Sequence, residues 1–403
     1  MGSEKRQIEQ IETVIISAVR TPIGRFGGAL MEIPAAELGA LVIRKAVEKA
    51  GIEPRQVDEV VMGCTVHVGE DTNIARVCTL KAGLPETVPA FTVNRMCISG
   101  LEAINTGSRY IESGDAEIVV AGGTENMSQM PYIVRKARFG YRLGNAELED
   151  AMIMGPLRCA INHYHLAITG ENVAERFHIT RKEQDECALR SQKRAVLAIR
   201  EGRFKSQIVP VSIAQKKGDI KQVDTDEHPR PDVTLEALSK MKPAFKEGGT
   251  VTAGNASGIN DGAAALVMMS RRKAIELGIK PLAAIRARAN VGVDPSIMGI
   301  SPALATRKAL ARAGLVLSDV AVLELNEAFA AQAVAVGKEL GVDWEKTNVN
   351  GGAIALGHPV GATGAILAVK LVYEMASRRA RYGIVGLCAG GGIGVTTVFE
   401  NLT

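Results

Sequence analysis

The chain has 403 residues, 46% of them hydrophobic and 23% charged, with 42 glycines and only 15 prolines. That length exceeds one ordinary core and that composition excludes a disordered or fibrous chain, which leaves a soluble α/β protein of two or more domains. Lysine and arginine exceed aspartate and glutamate by 48 to 44, a net +4 too slight to argue for nucleic acid yet compatible with a small polyanionic ligand.

Along the chain, Leu38, Leu41, Val42 and Ala46 recur at helical spacing, Gly51 follows as a stop, and "DEVVMG" reads as a strand. A β-leaning run, "AFTV", gives way at "NRMCISG" to the helix-like "LEAINTGSRYIES", and "AEIVVAGGTEN" is the next strand. From about Gln129 to Gly254 the pattern changes to charged helices and a polar stretch, "QKKGDIKQVDTDEHPRPDV", expected to be a loop-like surface that meets a ligand or partner. Then the first pattern returns. "RKALARAGLVLSDVAVLELN" (Arg307 to Asn326) repeats "RKAVEKAGIEPRQVDEVVMG" (Arg44 to Gly63) at an offset of 314 minus 51, or 263. "NVNGGAIALGHPVGATG" before "RYGIVGLCAGGG" likewise mirrors "TVNRMCISG" before "AEIVVAGGTEN". Two duplicated α/β halves with an inserted subdomain are therefore expected. The boundaries are residues 1–128 for the first half, 129–254 for the insert, 255–282 for a return to the first half and 283–403 for the second.

The cysteines at 64, 78, 97, 159, 187 and 388 form no CxxC pair and follow no secretion signal, so reduced thiols in a cytoplasm-like compartment are expected. "ILAVKLVYEMA", broken by Lys370 and Glu374, falls short of a membrane span. His163 and His165 are the one pair at metal-ligand spacing and have no further ligands near them in sequence, so no metal is expected.

Four places carry chemistry. Cys97 stands where a strand turns into a helix, so the helix macrodipole and unpaired N–H groups favour its thiolate; the alternative is an inert buried cysteine. His358 lies in the glycine-rich loop that corresponds to the Cys97 turn, so the quasi-twofold would bring nucleophile and base together, although a lone histidine is more often structural. Cys388 ends a strand before three glycines, whose N–H groups suit an oxyanion. Asn326 follows an apolar strand, where it either holds a water or carbonyl oxygen or caps the helix in "EAFAAQAVAVGKEL".

With "NRMCISG", "TVTAGNASGINDGAAA", "NEAFAAQ", "GGAIALGHPVGATGA" and "LCAGGGIG" in this order and spacing, nearly the whole chain resembles the thiolases, in particular the short-chain acetyl-CoA acetyltransferases. The resemblance implies the thiolase fold: two βαβαβ-type halves in a five-layered α-β-α-β-α core with an inserted loop domain, assembled as a homodimer or homotetramer. It implies condensation of two acetyl-CoA to acetoacetyl-CoA and CoA, and the reverse thiolysis, with coenzyme A thioesters as substrates and no permanently bound cofactor. Cys97 then corresponds to the acylated nucleophile, His358 to its activator and Cys388 to the acid/base for the second acetyl-CoA. His358 and a water on Asn326 correspond to one oxyanion hole, and the N–H groups of Cys97 and Gly390 to the other. Leu157, His165, Arg230 and Ser257 match residues along the CoA, and Leu166, Ala253, Met298 and Phe329 complete the substrate-contact set. Leu166 and Ala167 stand where many short-chain members have Met and Gly, and Ala237 where they have Ser, so strict acetyl specificity is not expected. A 3-ketoacyl-CoA thiolase of broader chain length is the alternative. A condensing enzyme of the ketoacyl synthase type is disfavoured by Cys388 and "NEAF", and a non-catalytic acyl-CoA-binding protein by the complete reactive set.

Overall fold

The computed structural model describes residues 11–69, 72–215 and 218–403. The first half comprises β1 (Thr13–Arg20), α1 (Ala35–Ala50), β2 (Glu59–Gly63), α2 (Ile74–Lys81), β3 (Ala90–Val93), α3 (Ser99–Ser113) and β4 (Ile118–Asn126). Residues 127–259 then leave the sheet, with α4 (Ala167–Arg176), α5 (Arg181–Arg200) and a two-stranded pair, β5 (Val211–Ala214) and β6 (Ile220–Val223). The chain returns in β7 (Asn260–Ser270) and α6 (Arg271–Glu276). It continues through β8 (Ala283–Gly292), α7 (Ser301–Ala313), β9 (Val320–Leu325), α8 (Ala330–Leu340), α9 (Thr363–Arg378), β10 (Tyr382–Ala389) and β11 (Ile393–Asn401).

The strands lie in the order β3-β2-β4-β7-β1, then β8-β11-β10-β9. Each half repeats one pattern: β2 is parallel to β4 as β9 is to β10, while β7 and β11 run antiparallel to their neighbours. Among the described residues, the strands of the two halves pair at Val14↔Ala284 and Ile15↔Ala283. The repeated Ala-Gly ends α1 and α7 alike, because Gly51 and Gly314 take left-handed φ values of 68° and 67° that a side chain disfavours.

Strands β1 and β7 are buried along their whole length, which matches their continuous apolar sequence and requires helices on both faces. One apolar cluster packs α1 and α2 on the outer face of the first half. A second packs α7 and α8 on the outer face of the other half, and a third surrounds α3 and α9 between the sheets. Five layers result, as the resemblance implies. In the middle layer the two helix starts touch backbone to backbone. A Cβ on Gly364 would lie 2.4 Å from the Leu101 nitrogen, and one on Gly100 2.9 Å from the Ala365 nitrogen.

The polar stretch expected as loop is partly a strand. β6 pairs with β5 because Val211 and Val223 face each other and bury themselves against the first-half core. Beyond it, Asp226 forms a fully buried ion pair with Arg20 at 2.7 Å, and Arg20 also reaches Gln207 at 2.9 Å. This pair fastens residues 224–230 to the end of β1, which places the next three residues, Glu227, His228 and Pro229, at the cavity described below. Removing one partner of such a pair leaves an uncompensated buried charge.

Gly364→Ala is expected to lower stability by about 3 kcal/mol or more, since overpacking here meets backbone rather than a side chain that can turn away. Urea unfolding reads this directly; an unchanged midpoint would show that the two helices separate freely.

Candidate active site

After β3 the chain makes a tight turn in which Met96 adopts φ 51°, a left-handed conformation rare for a side-chain-bearing residue. The turn is held by Ser99, whose Oγ accepts from the Arg95 N–H at 2.8 Å and donates to the Met96 carbonyl at 2.6 Å. Asn94 Oδ1 accepts the Met96 N–H at 3.1 Å. Cys97 is thereby presented two residues before α3 and is 5% exposed. Burial pushes its thiol up to about 11, against N–H donation from Gly390 and its own backbone, and the Glu125 carboxyl adds to the rise. The sequence-based expectation of a dipole-stabilised thiolate is thus corrected: loss of water outweighs the donors. The resting thiol keeps its proton and needs a base.

His358 is the candidate. Its N–H donates to Asn260 Oδ1 at 2.9 Å, and its Nδ1 lies 2.6 Å from Thr363 Oγ1, at the start of α9. The Thr363 hydroxyl donates its hydrogen to the Pro359 carbonyl at 2.8 Å. Nδ1 must therefore carry the proton and donate to Thr363, which leaves Nε2 as the bare acceptor. Nε2 is buried with no protein partner, and burial holds the imidazole neutral by lowering its pKa to about 4.

Cys388 and Asn326 come from the second half. Cys388 is 1% exposed near the end of β10, and burial followed by the nearby Cys97 sulfur pushes its thiol far above the ordinary range. It packs in one apolar cluster with Leu166, Met298 and Phe329. Asn326 donates its N–H to the Gly386 carbonyl at 2.9 Å, while both polar atoms of its buried side chain have no protein partner. Helix α8 begins only at Ala330 and is capped by Phe329, so the helix-cap reading of Asn326 is set aside. Gly390 lies beside Leu166 and Met96; a Cβ there would come 3.2 Å from Leu166 Cδ1.

A cavity of about 660 Å³ opens onto Cys97 and His358. Leu157, His165, Leu166 and Arg230 line it, as do Ala253, Ser257, Met298 and Phe329. Cys388, Asn326 and Gly390 are not part of its wall; Cys388 packs against Leu166, Met298 and Phe329, which are. His165 is oriented by accepting the Ala167 N–H on Nδ1 at 3.1 Å and by stacking on Phe245 at 4.7 Å. His163 is exposed, with φ 58°, and lies outside the cavity. Sequence reasoning missed Arg25, Phe26, Glu227 and His228 on the wall. For Glu227 and His228 the only signal was the polar "DEHPRPD" stretch, which the Arg20–Asp226 pair carries into place, while nothing in the sequence marked Arg25 and Phe26. Burial, with the Arg230 charge, lowers His228 to about 4. Among the described residues no group of three or more His, Cys, Asp or Glu is placed to hold a metal ion.

Residues 13–272 match the family model "Thiolase, N-terminal domain" and residues 279–401 "Thiolase, C-terminal domain". An acetyl-CoA acetyltransferase of Syntrophomonas wolfei is 52% identical over 97% of this chain and 99% of its own, and one of Pseudomonas aeruginosa is 53% identical over 95% and 98%. Among solved structures, the Bacillus anthracis acetyl-CoA acetyltransferase has a TM-score of 0.96 at 48% identity, covering 98% of this chain and 99% of its own. Human mitochondrial 3-ketoacyl-CoA thiolase has a TM-score of 0.94 at 41% identity, covering 98% and 100%.

With His358 lowered to about 4 and Cys97 raised to about 11, both groups are neutral between these values, and only below about pH 5 does His358 gain a proton and cease to accept one. The rate of Cys97 acylation is therefore expected to be flat from about pH 6 to 9, with no limb at the ordinary imidazole value near 6.5. Single-turnover acylation across that range checks this; a fall through pH 6.5 would contradict the depressed histidine.

Proposed function

The chain belongs to the thiolase family, and on that premise we propose that Cys97, His358, Cys388 and Asn326 carry its acyl transfer. The protein is an acyltransferase that condenses two acetyl-CoA to acetoacetyl-CoA and CoA and runs the reverse thiolysis. The observation that carries the assignment of roles is the bare Nε2 of His358 and a protonated Cys97 on the wall of one cavity.

Cys97 passes its proton to His358 Nε2, and the thiolate attacks the acetyl-CoA carbonyl. The N–H groups of Cys97 and Gly390 receive the oxyanion, and its collapse expels CoA thiolate, which takes the proton of Cys388. The site then holds acetyl-Cys97, an imidazolium and the Cys388 thiolate. This thiolate, high in pKa through burial, removes a proton from the methyl group of the second acetyl-CoA. The enolate oxygen faces the new Nε2–H of His358 and a water on Asn326, and the enolate carbon attacks acetyl-Cys97. Cys97 leaves as thiolate and recovers its proton from His358, which restores the starting state.

Leu166, Met298 and Phe329 border the acyl end of the cavity. Leucine is shorter and less adaptable than methionine, which supports acceptance of acyl groups beyond acetyl. The solved relatives include one named for acetyl and one for 3-ketoacyl substrates, so overall fold does not separate the two. Phe139 and Leu143, 95% and 96% exposed on the excursion after β4, support assembly with further copies as a dimer or tetramer. No helix among the described residues is long and apolar enough to cross a membrane. No disulfide joins the six cysteines, which supports a reducing, cytoplasmic setting.

Labelled acetyl-CoA tests the relay. Cys97→Ala is expected to take up no acetyl group, whereas Cys388→Ala still takes up one and forms no acetoacetyl-CoA; full condensation by the latter would sink the scheme. Asn326→Ala is expected to slow condensation by about 10² to 10³ while leaving acetylation within a few-fold. Thiolysis rates across acetoacetyl-, 2-methylacetoacetyl- and longer 3-ketoacyl-CoA measure the acyl preference, and activity confined to acetoacetyl-CoA would refute the broader reading.

A further inference from the structure

The duplication gives every member of the reactive set a mate. Helices α3 and α9 start 264 residues apart, and the pairs Met62↔Gly122 and Leu325↔Gly386 keep the strands in the same register. Cys97 thus corresponds to Gly361, Cys388 to Thr124, Asn326 to Gly63, Thr65 to Ala328 and Ala389 to Glu125. The backbone N–H of Gly361 is consequently the duplicate of the Cys97 N–H that is assigned to an oxyanion hole above.

That second hole is filled from within. Gly361 donates its N–H to Glu125 Oε2 at 2.8 Å, and the Thr65 N–H and hydroxyl reach the same oxygen at 3.0 and 2.5 Å. The Cys64 S–H reaches Oε1 at 3.4 Å. All four partners are donors and the carboxyl is buried at 2% exposure, where burial raises it above the ordinary carboxyl range against those donors, so an acceptor oxygen sits where the working copy would receive one from substrate. The fit leaves no room for a side chain at residue 361: a Cβ there would lie 2.6 Å from Glu125 Oε2 and 2.7 Å from the Cys64 Cα.

We propose that Glu125 is a positioning residue: its carboxylate occupies the duplicated anion hole and, through the Gly361 N–H, fixes the loop that aims His358 at Cys97. Gly361 lies three residues after His358 and two before Thr363, the group that sets the His358 tautomer. Glu125 is the penultimate residue of β4 in the first half, so this single side chain registers a second-half base against a first-half nucleophile. It is absent from the cavity wall. The inference rests on the reading of Cys97 and His358 given above.

The test uses the full-length enzyme and reads both turnover and Cys97 alkylation by iodoacetamide. Glu125→Ala is expected to lower kcat by about 10², the scale of a base displaced by about 1 Å, and to slow alkylation while KM stays within about twofold. Sodium formate, small enough to re-enter the vacated hole, should raise that kcat at least about tenfold and saturably, as in chemical rescue of a lost carboxylate. Glu125→Gln keeps one acceptor oxygen for Thr65 and Gly361 and should stay within about threefold of wild type. A folded Glu125→Ala with wild-type kcat and alkylation, a loss that formate leaves untouched, or an equal loss in Glu125→Gln would overturn the proposal. Should Glu125→Ala not fold, Thr65→Val decides: a kcat drop of several-fold at unchanged KM supports the role, and wild-type kcat refutes it. A wild-type enzyme without thiolysis would refute the proposed function alone, because alkylation of Cys97 still reports on Glu125.

Discussion

The close approach of α3 and α9, with Gly100 against Ala365 and Gly364 against Leu101, is the constraint from which the rest follows. Two helices that cross with backbone against backbone bring their N-termini to one point, and those N-termini carry the Cys97 turn and the His358 loop. No side chain stands between them to absorb an error. Gly63 and Gly123 continue the same close packing, the first against the Gly100 nitrogen and the second against the Gly361 carbonyl. The residues proposed to react are therefore placed by rigid layers rather than by a flexible loop, as precise chemistry needs.

Burial then sets the protonation states. Both thiols are raised and the imidazole is lowered because each would lose hydration on charging. In the proposed relay a neutral thiol and a neutral base on one cavity wall are poised, and charge appears only when a carbonyl arrives to receive it from the N–H donors. The helix macrodipole, which suggests a standing thiolate, acts in the same place but is the smaller effect. Glu125 is the one buried acid near Cys97 among the groups named in this site, and the duplicate hole gives it four donors in place of water.

Much of this was legible in the residues. The Ala-Gly repeat at 50–51 and 313–314 marks two helix ends that do adopt the same left-handed cap, and the fixed offset marks two halves that do share one strand order. Cys97, His358 and Cys388 stand out because each follows a strand or opens a helix in a glycine-rich context. The insert was harder to read. "IKQV" forms a strand only because Val223 finds Val211, and Glu227 and His228 reach the cavity only because Arg20 captures Asp226 from 206 residues away. Neither partner can be inferred from spacing.

Local pattern and internal repetition were thus sufficient to indicate the α/β halves, their duplication and the residue types of the proposed site, since helix caps, strand runs and repeats are properties of neighbours in the chain. The tertiary structure alone decided the proton positions. Whether Nε2 of His358 is bare depends on the Thr363 hydroxyl being spent on the Pro359 carbonyl, and whether Cys97 is a thiol depends on how completely its sulfur is removed from water. Those are facts about solvent and about contacts between distant segments, and they arise only when the two halves close on each other.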